Sequence, residues 1–236
     1  MPIQPFSRVL DDIAITARVY VGDEAKGDPY TYTVRDYAEY LINHAEGNEA
    51  YTKALPLVKA MLHYGASAQT LFNNIPGDLA NKNIEAAAYD DPTLAIKDKT
   101  DGTTLTNLNE TSVGENLTFD GASLNLGSKT AYTLYYAKGE NYSGEAPTIT
   151  CEGHDVDVVE NANEIRYIIR NISAGDLLKN ITVTIGITEL TVNPATYFYA
   201  ALTAENTAEY NYDNLKKAVT ALYYFNEAAK NYKGVQ

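Results

Sequence analysis

Tryptophan is absent from this chain of 236 residues, and cysteine occurs once, at Cys151. A lone cysteine excludes a disulfide within the chain and any zinc site built on several thiolates. Cys151 stands in TITCEG beside Glu152. It lacks the basic neighbourhood or helix N-terminus that would activate a thiol, and it reads as a small buried side chain. Basic residues are also scarce: 18 Lys and Arg face 31 Asp and Glu, a formal net charge of −13 with a pI near 4.6. That balance offers no footprint for nucleic acid or an anionic membrane. No apolar run approaches the roughly 18 residues of a membrane-spanning helix. The opening MPIQPFSRVLDDI has no basic start followed by an apolar stretch, so it does not read as a signal peptide. Gly-x-Ser-x-Gly, a phosphate-cradling glycine loop and His-Glu-x-x-His are all missing. The acidic residues are numerous enough to supply a glycosidase pair, but the tryptophans that usually line such clefts are not there.

What is present is a hydrophobic fraction of 45%, enough for a sizeable core, and 20 tyrosines against 5 phenylalanines. Tyrosine combines apolar area with a hydroxyl that needs a partner. The bias suits half-buried layers between sheet and helix, and equally an exposed binding face.

Two stretches match without gaps at an offset of 160 residues, 35–72 and 195–232. Tyr37/Tyr197, Glu49/Glu209, Leu55/Leu215, Leu62/Leu222, Tyr64/Tyr224 and Ala68/Ala228 are identical, and Phe72/Tyr232 is conservative. Each copy reads as two helices joined by a polar loop. The long helices carry Leu55, Val58, Met61, Leu62, Gly65, Ala68 and Phe72, and Leu215, Ala218, Val219, Leu222, Phe225, Ala229 and Tyr232. That spacing makes one apolar stripe on each. The short helices are expected over 34–44 and 195–204. Thr33 is placed to cap the first, and Asn193-Pro194 to open the second. Pro56 is expected in the first turn of its helix.

Alternating runs precede each helix pair, at 13–21 and 181–187. Further strands are expected at 123–126, 131–138, 148–151, 155–159, 164–170 and 190–192, with hairpin loops at 139–141 and 161–163. A polar connector with a short helix near 84–88 separates the halves. The expected fold class is α+β: an antiparallel β-sandwich over about 107–192, flanked by two pseudo-repeated helical hairpins packed as a four-helix arrangement. In domain terms, 1–82 is a truncated first repeat, 83–106 the connector, 107–193 the sandwich of the second repeat and 194–236 its helical hairpin. The first repeat holds only a small hairpin at 13–33 before its helices, with a more exposed edge than its counterpart.

Candidate sites are few. Tyr132, Tyr135, Tyr136 and Tyr142 cluster on one stretch. In TLYYAK, Leu134 and Tyr136 face one way, and Tyr135 faces the other with Thr133. Tyr132, Tyr135 and Tyr142 are the candidate ligand-binding residues, through stacking on a sugar ring, unless these rings pack as core. Tyr210, Tyr212, Tyr223 and Tyr224 read as a joint between helical hairpins or as an interface patch. Asp155 and Asp157, next to His154, share a strand face and are the weak candidates for a calcium site; six to eight ligands are not in sight. The stretch 98–104, DKTDGTT, lacks the alternating acidic pattern of an EF-hand and reads as a turn. His44 and His63 have no second ligand at helical spacing. Asn-x-Ser/Thr sequons occur at Asn109, Asn116, Asn141, Asn171 and Asn180, as an Asn- and Thr-rich chain produces by chance.

The run VRDYAEYLIN…LPLVKAMLHYGASAQTLFNN…LAN resembles a module of large secreted and cell-surface proteins of gut anaerobes of the clostridial kind, found beside leucine-rich repeats, dockerin modules and other extracellular domains. GASLNLGSKTAYTLYYAK and the closing ALYYFNEAAKNY are similar to the same arrangement. The resemblance runs from Phe6 onward and is most specific over 34–72. It implies an extracellular or cell-surface setting and gives no catalytic residue and no cofactor. The expected function is therefore a non-enzymatic structural or interaction module, a spacer or adhesion element. Its partners would be other domains of the same polypeptide or a surface glycan or protein, with no nucleic acid and no membrane insertion. The alternative is a carbohydrate-binding module using tyrosines of the sandwich; a hydrolase is third.

Overall fold

The computed structural model describes residues 14–73, 89–100, 108, 110–126 and 130–233. The protein is α+β with antiparallel sheets. Two compact units are drawn from Met1–Tyr89 with Ala221–Gln236, and from Asp90–Thr220.

The first unit opens with β1 (Ile15–Val21) and β2 (Glu24–Tyr32), an antiparallel pair closed by a two-residue turn at Gly22-Asp23. Gly22 has φ 62°, which such a turn demands and glycine grants most cheaply. Every residue of β1 is solvent-exposed, and Pro29 in β2 is compatible only with an edge strand. The helix α1 (Val34–Asn43) starts on a reciprocal cap. The Asp36 N–H donates to Thr33 Oγ1 at 3.1 Å, and the Thr33 N–H donates to Asp36 Oδ2 at 2.7 Å. The longer α2 (Glu49–Leu71) is capped by Asn48, whose Oδ1 accepts from the Tyr51 N–H at 3.2 Å. That cap starts α2 early enough to place Pro56 inside the helix, two turns from its start, instead of in the first turn. The two helices bury Ala38 and Leu41 against Val58, Leu62 and Ala66; Val58 and Leu62 belong to the expected stripe, whereas Phe72 at its end is exposed. Leu62 is fully buried, a contribution of about 2 kcal/mol. In the same unit, Tyr64 stacks on Phe225 at 6.0 Å and Tyr89 on Tyr224 at 4.2 Å, with His63 edge-on to Tyr89.

The second unit begins with α3 (Thr93–Thr100), inside the stretch expected as connector. Asp91 Oδ1 accepts from the Thr93 N–H at 2.9 Å and from its hydroxyl at 2.5 Å. Asp98 and Lys99 therefore belong to a helix and not to a turn. The expected helix near 84–88 and residues 101–104 lie outside the described residues. Then come β3 (Leu117–Leu126), β4 (Thr130–Lys138), β5 (Ile149–Cys151), β6 (Val156–Glu160), β7 (Glu164–Ile172), β8 (Ile181–Ile185) and β9 (Thr188–Val192). A four-stranded sheet has the order β3-β4-β7-β6, and a three-stranded sheet the order β5-β8-β9, all antiparallel. The loop 161–163 joins β6 to β7 as expected, with Asn161 Oδ1 accepting from the Asn163 and Glu164 N–H groups at 2.9 Å. The expected hairpin at 139–141 is corrected: the segment leads from β4 into the other sheet, because β5 pairs with β8.

Period-two alternation gives each sheet a buried face. On the larger sheet it carries Tyr132, Leu134, Tyr136, Ile165, Tyr167 and Ile169; on the smaller, Ile181, Val183, Ile185, Leu190 and Val192. The helices α4 (Ala195–Thr203) and α5 (Asp213–Lys233) follow, and α5 begins in the second unit and ends in the first. The chief packing partner of α4 is α3, with β3 beside it. The expectation was of two helical hairpins packed on each other; α1 folds onto α2, whereas α4 packs chiefly on α3, a helix absent from that expectation. Asn193 secures the corner. Its Oδ1 accepts from the Ala195 N–H at 2.8 Å, and its amide faces Asn180 Oδ1 at 2.8 Å and the carbonyls of Lys99 and Leu178 at 3.2 and 3.4 Å.

Candidate functional site

The four-stranded sheet concentrates tyrosine. On β4 the residues alternate sides as expected, with Tyr132, Leu134 and Tyr136 on the buried face and Tyr135 on the other. Tyr132 is fully enclosed, and its hydroxyl shares a 3.0 Å hydrogen bond with Thr196 Oγ1 at the start of α4. Burial raises its pKa and the Thr196 bond partly offsets the rise. Tyr132 is therefore a core residue, not a surface for a ligand. Tyr135 is half-buried; its hydroxyl pairs with Ser123 Oγ at 2.9 Å, and the Arg166 guanidinium lies 5.7 Å from its ring centroid.

Tyr142 reaches the sheet by another route. Its N–H donates to the Gly139 carbonyl at 3.0 Å, closing a turn straight after β4. Lys138 Nζ then sits 5.1 Å from the Tyr142 ring centroid while donating to Glu160 Oε1 and the Asn161 carbonyl, both at 2.6 Å. Lys138 and Glu160 continue the register of Tyr136 and Ile165, so this ion pair ends the buried face. The three candidate ligand-binding tyrosines thus have separate partners: Tyr132 in Thr196 of α4, Tyr135 in Ser123 and Arg166, and Tyr142 in Lys138.

Two tyrosines that sequence reading did not single out as site residues complete the buried face. Tyr136 packs edge-on against Phe119 at 5.6 Å and against Tyr167 at 5.7 Å. Burial pushes the Tyr136 hydroxyl up to about 12. Burial, followed by the charges that Tyr142, Tyr136 and Glu160 would carry, raises Tyr167 as well. These phenols stay protonated and act as neutral hydrogen-bonding groups. The alternation Ile165-x-Tyr167-x-Ile169 was the available signal, since it puts Tyr167 on the face of two isoleucines.

The remaining candidates resolve into local pairs. Asp157 is ion-paired with Arg170, and Asp155 accepts from the Asn171 side-chain amide. His154 Nδ1 lies 3.2 Å from the Arg170 carbonyl. Each carboxylate is turned to its own partner, and no group of three or more His, Cys, Asp or Glu among the described residues is placed to hold a metal ion. His44 stacks on Tyr40 at 4.0 Å with Nδ1 2.8 Å from the Tyr40 carbonyl, and His63 is buried. Burial pushes the Cys151 thiol up, away from the thiolate. Glu164 is held below the usual carboxylate range by hydrogen bonds from Arg166 and Asn161. Among the described residues no helix is long and apolar enough to cross a membrane.

The other concentration of unsatisfied chemistry is on the first unit. Ile15, Val19, Tyr20, Val21 and Tyr30 project from the β1–β2 hairpin into solvent, Val19 at 66% and Tyr30 at 69% exposure. Single exposed apolar residues are ordinary, but five on one two-stranded hairpin are not. Comparison with family models, with curated proteins and with solved structures finds no match in any of the three.

Proposed function

We propose that the chain is a non-enzymatic structural and interaction module of an extracellular bacterial protein, a spacer or adhesion element that joins its neighbours by accepting a β-strand. The observation that carries this reading is the β1–β2 hairpin, which exposes Ile15, Val19, Tyr20, Val21 and Tyr30 and, among the described residues, pairs only with itself. A lone hairpin is marginal in water, and its unpaired backbone groups are a template for a further strand. The protein holds its own precedent. The hairpin β8–β9 also directly precedes a helix, and there the outer edge of β8 is taken by β5. The occupant proposed for β1 is accordingly an antiparallel extended segment with alternating apolar side chains, carried by a neighbouring domain of the same polypeptide or by a surface protein.

Finer architecture belongs to the same proposal: a β-sandwich over 107–192, and a duplicated plan in which a hairpin leads into a helix pair. The offset of 160 supports it, carrying α1 at 34–43 onto 194–203, where α4 stands at Ala195–Thr203. The extracellular setting rests on the resemblance of 34–72. A sugar-binding role for Tyr132, Tyr135 and Tyr142 is weakened by their separate engagements, and a glycan array tests it directly.

The strand-accepting reading is tested by NMR titration with a peptide of the β5 strand and its flanks, 147–153, which already pairs with a hairpin of this kind. Shift changes and slowed amide exchange confined to β1 support it. Unchanged β1 resonances at millimolar peptide, in the same titration, reject it.

A further inference from the structure

The helices α1 and α4 can be compared residue by residue, because the offset of 160 carries one onto the other. Both bury the same inner positions: Arg35 and Ala195, Ala38 and Phe198, Leu41 and Ala201. Both expose Tyr40 and Ala200, and Asn43 and Thr203. The clearest difference is in the first turn. Asp36 is exposed where Thr196 is buried, and Tyr37 is 53% exposed where Tyr197 is half-buried.

What covers the first turn of α4 is visible. The Tyr132 hydroxyl shares its bond with Thr196 there, and the end of α3 lies alongside, the Lys99 carbonyl accepting from the Asn193 amide. α3 is a short helix with Ile96 fully buried and with Lys97 and Lys99 in its last turn. α1 instead packs on α2 and against β2. Charge sharpens the difference. Thr196 is neutral, whereas Asp36 sets a carboxylate at the corresponding place. Arg35 beside it is buried and paired with Glu39, so the exposed charge of this turn is negative. We propose, resting on the duplicated plan given above, that Asp36 and Tyr37 form a docking site for a short amphipathic helix of the α3 kind, carried by a neighbouring domain. Its aliphatic side chain covers the Tyr37 ring, and its basic last turn faces the Asp36 carboxylate.

The test is an NMR titration of the isotope-labelled full chain with the peptide 90–100, which keeps Asp91 as its cap. Saturable shifts at Thr33, Asp36 and Tyr37 are expected. Tyr37→Ala in the chain should weaken binding about fivefold or more, and Ile96→Asp in the peptide should abolish it. Tyr37 is exposed, so its replacement leaves the fold intact. No shift in α1 at millimolar peptide overturns the proposal. So do shifts confined to α4, where the peptide competes with the chain's own α3. So does binding that Ile96→Asp leaves unchanged, since that is charge attraction without a docked helix. The strand-accepting reading is scored at β1 with the peptide 147–153, so its failure and the failure of this site are separate outcomes.

Discussion

At the scale of single residues, Asn193 binds together three segments: the end of α3, the 178–180 loop and the first turn of α4. It is almost fully buried. Asn193→Ala strips acceptor and donor together and leaves the Ala195 N–H and the opposing carbonyls enclosed without a partner. A loss of about 2–3 kcal/mol in denaturant unfolding is expected. Asn193→Asp keeps the shape but turns an oxygen toward acceptors, so it should lose at least as much. Thr33→Ala removes half of the reciprocal cap of α1, with an expected cost of about 1 kcal/mol. The Thr33 cap was legible from that residue alone, because capping is local chemistry; Asn193 stands one residue before the cap, Pro194, and its Oδ1 accepts from the Ala195 N–H. The fates of Tyr132, Tyr135 and Tyr142 were not. Period two assigns a strand residue to a side, but which side is covered, and by what, depends on α4 and on a turn that arrives from outside the strand.

Elements were read where length and alternation were ample. Most strands of the second unit fall within two residues of their expected places, as do α1 and α4, but β3 was expected only over 123–126 and runs Leu117–Leu126. The helix α3 was missed because eight residues give a stripe little room: Ile96 is buried and Leu94 is 76% exposed. Its start signal, Asp91-Pro92, has the same form as Asn193-Pro194, which was used to open α4, so the information was present. The turn at 139–141 was misread because glycine and asparagine mark a change of direction without saying whether the next strand joins the same sheet. For β1, full exposure and, among the described residues, a single pairing partner predict weak protection. Amides of Ile15–Val21 should exchange about a thousandfold faster than those at the centre of β4 and β7 by native-state hydrogen exchange. Limited proteolysis should make its first cut in the same hairpin. Equal protection in β1 and β7 for a monomer would mean that the hairpin is already covered.

For the whole molecule, tyrosine ties stability to pH on the alkaline side. Tyr89 and Tyr136 are raised from 10 to about 12, each mainly by burial, and Tyr167 is raised too. A phenol with a folded pKa above its unfolded one keeps its proton in the native state where the unfolded chain releases it. The native state then binds more protons between pH 10 and 12, so stability must fall as pH rises across that window and is unaffected by these groups below it. Phenolate absorbance should therefore show a fast phase near pH 10 from exposed tyrosines. A second phase should appear only together with loss of circular dichroism. Tyr136→Phe should move that second phase to higher pH, because the variant has no phenol at 136 whose proton the fold retains. A variant merely destabilised by poorer packing would instead lose stability at neutral and alkaline pH alike. A wild-type-minus-variant stability difference that falls as pH rises from about 10 to about 12 is thus the expected result. Parallel curves would show that the Tyr136 hydroxyl is not the group whose proton the fold retains.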